Sequence, residues 1–198
     1  MQREQDPKLA APGAGLPLLE SVFLRYFYYP FRAKRFSWSD NLKRLHNETL
    51  KIVSIIQNLP EEQFQTRVLI PRLKGMEDSS RFWSVALTVE HLCITIKGMT
   101  FIASELAQGN DPHVTVGTAA VKPKQENVLK KEEMIKKLQT ATAETITLLS
   151  KFTDSHSEKN KSYHPWFGEI DAAGWVWVLG QHQSLHRKQI HQIYKSFS

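Results

Sequence analysis

The chain has 198 residues, 41% of them hydrophobic and 23% charged, with a net charge of +6; this is ordinary composition for one folded domain with a substantial core and argues against general disorder. A single cysteine, Cys93, excludes an internal disulfide framework. The basic residues are spread along the chain, and the lysines between 122 and 137 alternate with Glu126, Glu132 and Glu133, a pattern of a solvated helix face and not of a nucleic-acid surface.

Residues 1–15 contain Pro7, Pro12, Gly13 and Gly15 and are expected to form a mobile arm. Residues 16–29 suit a short helix ended by Pro30, with Leu19, Val22, Phe23 and Phe27 on one side. Tyr26, Tyr28, Tyr29 and Phe31 make this segment unusually aromatic. It either lines a pocket mouth or covers the body of the fold, and covering is the simpler reading. Glu20 and Arg25 interrupt the apolar run, so neither a signal peptide nor a membrane anchor is expected there. No run of about 18 apolar residues occurs elsewhere, and the expected location is cytoplasmic.

Ser37 to Asp40 carry capping side chains before a helix reaching about Asn58, with Leu42, Leu45, Thr49, Ile52, Val53 and Ile56 at helical spacing. His46 stands at the edge of that stripe, either as a boundary residue or as an accessory to a site. A connection with a short turn of helix at Glu61 to Gln65 leads to a second long helix, expected over residues 80–108 and stopped by Gly109. On its buried stripe lies His91, with Ser84, Thr88 and Thr95 among its neighbours; small hydroxylated residues there leave room for water or a ligand group. The imidazole itself reads either as a satisfied core histidine or as part of a site.

The stretch 109–124, with Pro112, Gly117 and Pro123, is far longer than a simple helix pair needs and predicts a crossover between helices that are not immediate neighbours. A third long helix is expected over 126–152, with Val128, Ile135, Leu138, Ile146, Leu149 and Phe152 inward. The last helix, expected over 171–197, carries Trp175, Val178, Leu179, His182, Leu185, His186, Gln189, Ile190 and Ile193 on one stripe. His182 and His186 are one turn apart, with Cβ atoms roughly 5–6 Å from each other, a spacing that lets two imidazoles share a metal ion. His191 lies on the opposite side of this helix, and His113 and His156 fall in expected loops, solvated.

The architecture predicted is all-α: a four-helix bundle with a long crossover over residues 37–198, preceded by an N-terminal arm and helical extension over 1–36. An isolated H-x-x-x-H pair is weak evidence, but two histidines central on one helix and a third central on another suit a metal held in a bundle core. Three neutral imidazoles leave one position of Zn²⁺ open to water or substrate; nickel or iron also accepts nitrogen ligands, so ligand type alone does not choose the ion, and the expectation is a divalent metal, Zn or Ni first, then Fe or Mn.

Trp83-Ser84 followed by His91, then His164-Pro165-Trp166-Phe167-Gly168 leading into Trp175 and the series His182, His186, Gln189, resembles the DinB/YfiT-like superfamily, specifically a branch with H-P-x-F-G before its last helix. The likeness covers roughly residues 38–193. It implies a four-helix bundle, a homodimer, and a divalent metal on His91, His182 and His186. Related sequences often carry a further histidine where this chain has Leu185, a difference that bears on substrate preference.

The resemblance implies metal-dependent chemistry with a low-molecular-weight thiol as cosubstrate: transferases join a thiol to an electrophile, and other relatives are hydrolases or isomerases. The metal would activate a thiol or water, with Gln189 positioning a group by hydrogen bonding. Ser84, Thr88, Thr95, Trp175 and His46 are the remaining accessory candidates, and Tyr163, His164 and Glu169 lie close enough in sequence to reach the pocket. No general base stands out. The competing expectation is a non-enzymatic bundle for stress response or binding, its metal structural or vestigial; a third is docking to a membrane or partner through residues 16–35.

Overall fold

The computed structural model describes residues 7–33, 35–114, 117–124, 129–153 and 156–197. Four long helices form the body: α3 (Trp38–Gln57), α5 (Val85–Ala107), α6 (Lys131–Leu149) and α7 (Ala172–Lys195). Short elements precede and link them: α1 (Leu18–Phe23), α2 (Tyr29–Ala33), α4 (Glu61–Gln65), a hairpin of β1 (Val68–Leu69) with β2 (Phe82–Trp83), and another of β3 (Ser162–His164) with β4 (Gly168–Ile170).

Capping chemistry sets the ends of three of the long helices. Ser37 and Asp40 form a reciprocal capping box at α3, and Asp171 accepts from the Gly174 N–H at α7. Ser84 accepts from Leu87 N–H at the start of α5. The second long helix therefore begins at Val85 and not at residue 80. Residues 78–80 form a separate 3-10 turn, and β2 intervenes. The sequence misleads here because Asp78, Ser79 and Ser80 have the same capping chemistry as Ser84.

Cross-contacts give the helix directions. Thr49 meets Thr142 at 3.1 Å, and the Trp38 indole donates to the Leu149 carbonyl at 3.0 Å, so α3 and α6 are antiparallel. His91 faces His182 while Gln189 reaches Ser80, so α5 and α7 are antiparallel too. Arg44 abuts Gly180 and Glu48 binds Arg187, which makes α3 and α7 parallel neighbours.

Helices α5 and α6 are immediate neighbours, contrary to the expectation for the 109–124 connection. They run parallel: Thr100 pairs with Thr145, and the two C-terminal ends meet near the Trp38 end of the bundle, where Ser157 N–H donates to Ala107 O. A parallel neighbour obliges the chain to travel back the length of α5, about 34 Å at 1.5 Å per residue, which explains the long link. The core is continuous across all four helices, with Leu45, Ile56, Leu92, Leu106, Leu138 and Trp177 fully buried.

Three further expectations change. Residues 7–15 are docked, with Ala10 N–H on Asp78 and Gly13 and Gly15 N–H on Glu77. Pro30 does not end the N-terminal helix: α1 and α2 are joined by a π-turn over Leu24–Tyr28, in which Tyr29 N–H bonds Leu24 O five residues back. The wider turn accommodates a proline that cannot donate. Helix α6 starts at Lys131, later than expected; Glu126 and Val128 lie outside the described residues, and Met134, Leu138, Ala141 and Thr145 form its buried face.

Helix α5 is long and apolar enough to cross a membrane by length and composition, but most of it is buried in the bundle. The N-terminal helix is held by Glu20 on Arg72 and the Gly75 N–H, and by Arg25 donating to Tyr163 and the Pro165 carbonyl. Tyr29 packs between Phe167 and Trp177. It lies so close to Gly174 that a Cβ there would run into its hydroxyl.

Candidate metal centre

On α5 and α7, helical spacing aims His91, His182 and His186 at one point. Their ring centroids are 5.0 Å (91 to 182), 4.7 Å (91 to 186) and 4.4 Å (182 to 186) apart, and one ligand atom from each falls within 4.8 Å of the others. Among the described residues this is the group of histidine, cysteine or carboxylate side chains that could hold a metal ion.

The outer nitrogens are all engaged. His91 Nδ1 donates to the Val121 carbonyl at 2.8 Å. His186 Nδ1 donates to Gln189 Oε1 at 2.7 Å, and Gln189 Nε2 donates in turn to the Ser80 carbonyl at 2.8 Å, which fixes the amide's orientation. Thr95 Oγ1 donates to the His91 carbonyl at 2.8 Å and turns its lone pairs towards His182 Nδ1, 3.5 Å away. His91 and His186 therefore carry their protons on Nδ1 and bare lone pairs on Nε2, while the long Thr95 contact leaves both tautomers open to His182.

His91 Nε2 and His182 Nε2 are 3.2 Å apart. With the His182 proton on Nε2 this is a hydrogen bond to the His91 lone pair; with it on Nδ1 both nitrogens present lone pairs that a cation between them would bind. Nitrogens bound at tetrahedral angles to one zinc-sized ion are about 3.3 Å apart. The donor set and its outer partners thus fit a divalent metal.

Burial holds the rings neutral: it pushes His91 down to about 4 and places His182 and His186 well below the usual imidazole range. The site opens on a pocket of about 570 Å³, whose walls include Met99 and Ile102 of α5, Trp175 and Val178 of α7, and Phe23 and Tyr28 of the N-terminal helix. The aromatic N-terminal segment is therefore a pocket wall as well as a cover. Among the described residues two carboxylates reach the pocket, and both are engaged: Glu20 by Arg72, Glu77 by Lys122 at 3.0 Å and by Thr118.

Of the accessory candidates, Thr95 and Trp175 line the pocket. Gln189 is fully buried behind His186 and acts on that ring. Ser84 and Thr88 are elsewhere: Ser84 caps α5, and Thr88 donates to the Ser84 carbonyl. His46 is exposed on the outer face of α3, beside Lys43 and Asn47. His156 is half-buried against Trp38, with ring centroids 4.6 Å apart, while His113 and His191 are exposed.

His164 belongs to the pocket more closely than sequence indicates. The β3–β4 hairpin stacks it on Phe167 and sets it edge-on to Trp175. Its Nδ1 accepts from Trp166 N–H at 3.1 Å, so the neutral ring carries its proton on Nε2. Burial, with help from Arg25, pushes it down to about 3. Tyr163 and Glu169 of the same hairpin are exposed.

Residues 42–190 match the family model of the DinB superfamily, well over half of the chain. No curated protein matches it.

Proposed function

From the premise that the chain belongs to the DinB superfamily, we propose that it is a metal-dependent enzyme. His91, His182 and His186 hold a divalent ion, Zn or Ni before Fe or Mn, and a thiol or water is activated against an electrophilic small molecule, in a transferase or hydrolase reaction. The observation that carries this reading is the convergence of one ring nitrogen from each of three histidines on a single point, with the Nδ1 protons of His91 and His186 directed to outer partners. A divalent ion on three neutral ligands supplies Lewis acidity, lowering the pKa of a thiol or water at neutral pH.

The protein's own residues have separate tasks. The Val121 carbonyl and Gln189 orient His91 and His186, the apolar pocket walls exclude water, and His164 offers an Nε2–H to substrate. With Glu20 and Glu77 engaged in ion pairs, the described residues offer no free carboxylate in the pocket as base, which favours activation by the ion. No fourth histidine, cysteine or carboxylate joins the cluster among the described residues, and the adjoining pocket favours a reactive over a closed structural site.

The test is elemental analysis of untagged protein beside a His182→Ala/His186→Ala variant. Near-stoichiometric metal in the wild type and its loss in the variant are expected, followed by thiol-transfer and hydrolysis assays with the identified ion. Wild-type protein that stays metal-free after incubation with zinc, nickel, iron and manganese overturns the proposal.

A further inference from the structure

The pocket has a second polar feature, formed by donors without acceptors. Arg32, Arg44, Gln181 and Tyr28 all line it. The buried Arg32 Nε and the buried Gln181 Nε2 have no hydrogen-bond partner. Gln181 Oε1 is already taken by the Tyr28 hydroxyl at 3.4 Å, leaving its amide donors as the unmet half of the side chain.

Arg44 likewise has no hydrogen-bond partner among the described residues, although it is half-buried and desolvated enough to lower its pKa. The carboxylate that acts on it, Glu48, is held by Arg187 and by Lys51. The Arg44 stem lies against Gly180, where a Cβ would sit 3.1 Å from its Cδ, so the absence of a side chain at 180 admits the arginine beside α7. Arg32 is braced on Phe36, with its guanidinium carbon 5.5 Å from the ring centroid.

Buried donors are ordinarily satisfied, and unpaired buried cations are costly. Two guanidinium groups and an amide that lack acceptors, all bordering one cavity, supply the donor set of a carboxylate site. Gln181 directly precedes His182, and this set lines the same pocket as the imidazole cluster.

We infer that Arg32, Arg44 and Gln181 form an anion subsite and that the substrate is a largely apolar small molecule bearing a carboxylate. That the anion belongs to the substrate rests on the metal-enzyme reading above; the subsite itself does not.

The test is calorimetric titration of the full chain with hexanoate and with hexanamide, which share a chain length and differ in charge. Wild-type protein and the His182→Ala variant both bind hexanoate at least tenfold more tightly than hexanamide. Arg32→Gln/Arg44→Gln loses that preference, and Arg44→Lys retains part of it. The double variant keeps its helical circular dichroism and a cooperative melt, because the charges removed have no hydrogen-bond partner among the described residues.

Equal binding of the two probes by wild type, or binding of neither, overturns the subsite. A preference that survives the arginine double variant but disappears in His182→Ala places the carboxylate at the histidines. That result also overturns the subsite and leaves the metal reading standing.

Discussion

The α6 side and the α7 side of the bundle both bury polar groups, and they treat them in opposite ways. Against α6, Thr49 meets Thr142 at 3.1 Å and Thr100 meets Thr145 at 2.8 Å; each hydroxyl can donate or accept, so each pair satisfies itself. Against α7, three imidazoles bring ring nitrogens together that could share a metal ion. Polarity alone therefore does not mark a site in a helical core. The mark is a set of buried groups of one kind whose complement the protein does not supply.

The broadest way to break this contrast is acid. His91 is held down to about 4, His164 to about 3, and His182 and His186 well below 6.5, whereas in the unfolded chain all four titrate near 6.5. As pH falls below 6.5 the unfolded state takes up protons that the folded state refuses. The stability of metal-free protein is therefore full above about 6.5 and is lost progressively towards pH 4. Denaturation midpoints across pH 4–8 should show a slope larger than any one imidazole produces, and His164→Phe should reduce it.

Next in size is Leu138→Ala on the α6 side. Truncating a fully buried leucine costs about 2–5 kcal/mol in chemical denaturation and leaves metal stoichiometry unchanged. Gln189→Leu should do the reverse: by releasing His186 it weakens metal binding about 10–100-fold in competition with a chelator while the helical circular dichroism is kept. Smallest are the hydroxyl pairs. Thr142→Val alone costs about 1 kcal/mol, and adding Thr49→Val brings the loss back towards zero, because no buried hydroxyl then lacks a partner.

Much of the frame was legible in sequence because it depends on local rules. Ser37 and Asp40 cap where their spacing says, and the stripe through His182, His186 and Gln189 faces inward by helical periodicity alone. What depends on long-range placement was not legible. The capping residues at 78–80 and at 84 are equivalent until the β1–β2 pairing separates them, and nothing local distinguishes a link to a parallel neighbour from one to a distant helix.

The pocket illustrates the same limit. His46, at the edge of the α3 stripe, fell just outside the core, whereas His164 was drawn in by a hairpin that stacks it on Phe167. Arg32, Arg44 and Gln181 come from three separate helices, and no spacing rule joins them. The H-P-W-F-G run was the available signal for His164; the arginines had none.

The two donors' partners at the histidine cluster also differ in what mutation can reach. The Gln189 amide that steers His186 is a side chain, open to loss by a single codon change. The acceptor that steers His91 is the main-chain carbonyl of Val121, which every amino acid possesses. Sequence drift at position 121 can therefore proceed without altering the tautomer of His91, provided the returning chain keeps its path. One ligand's orientation is inherited through topology and the other's through residue identity, so divergent descendants of this chain would lose control of His186 sooner than of His91.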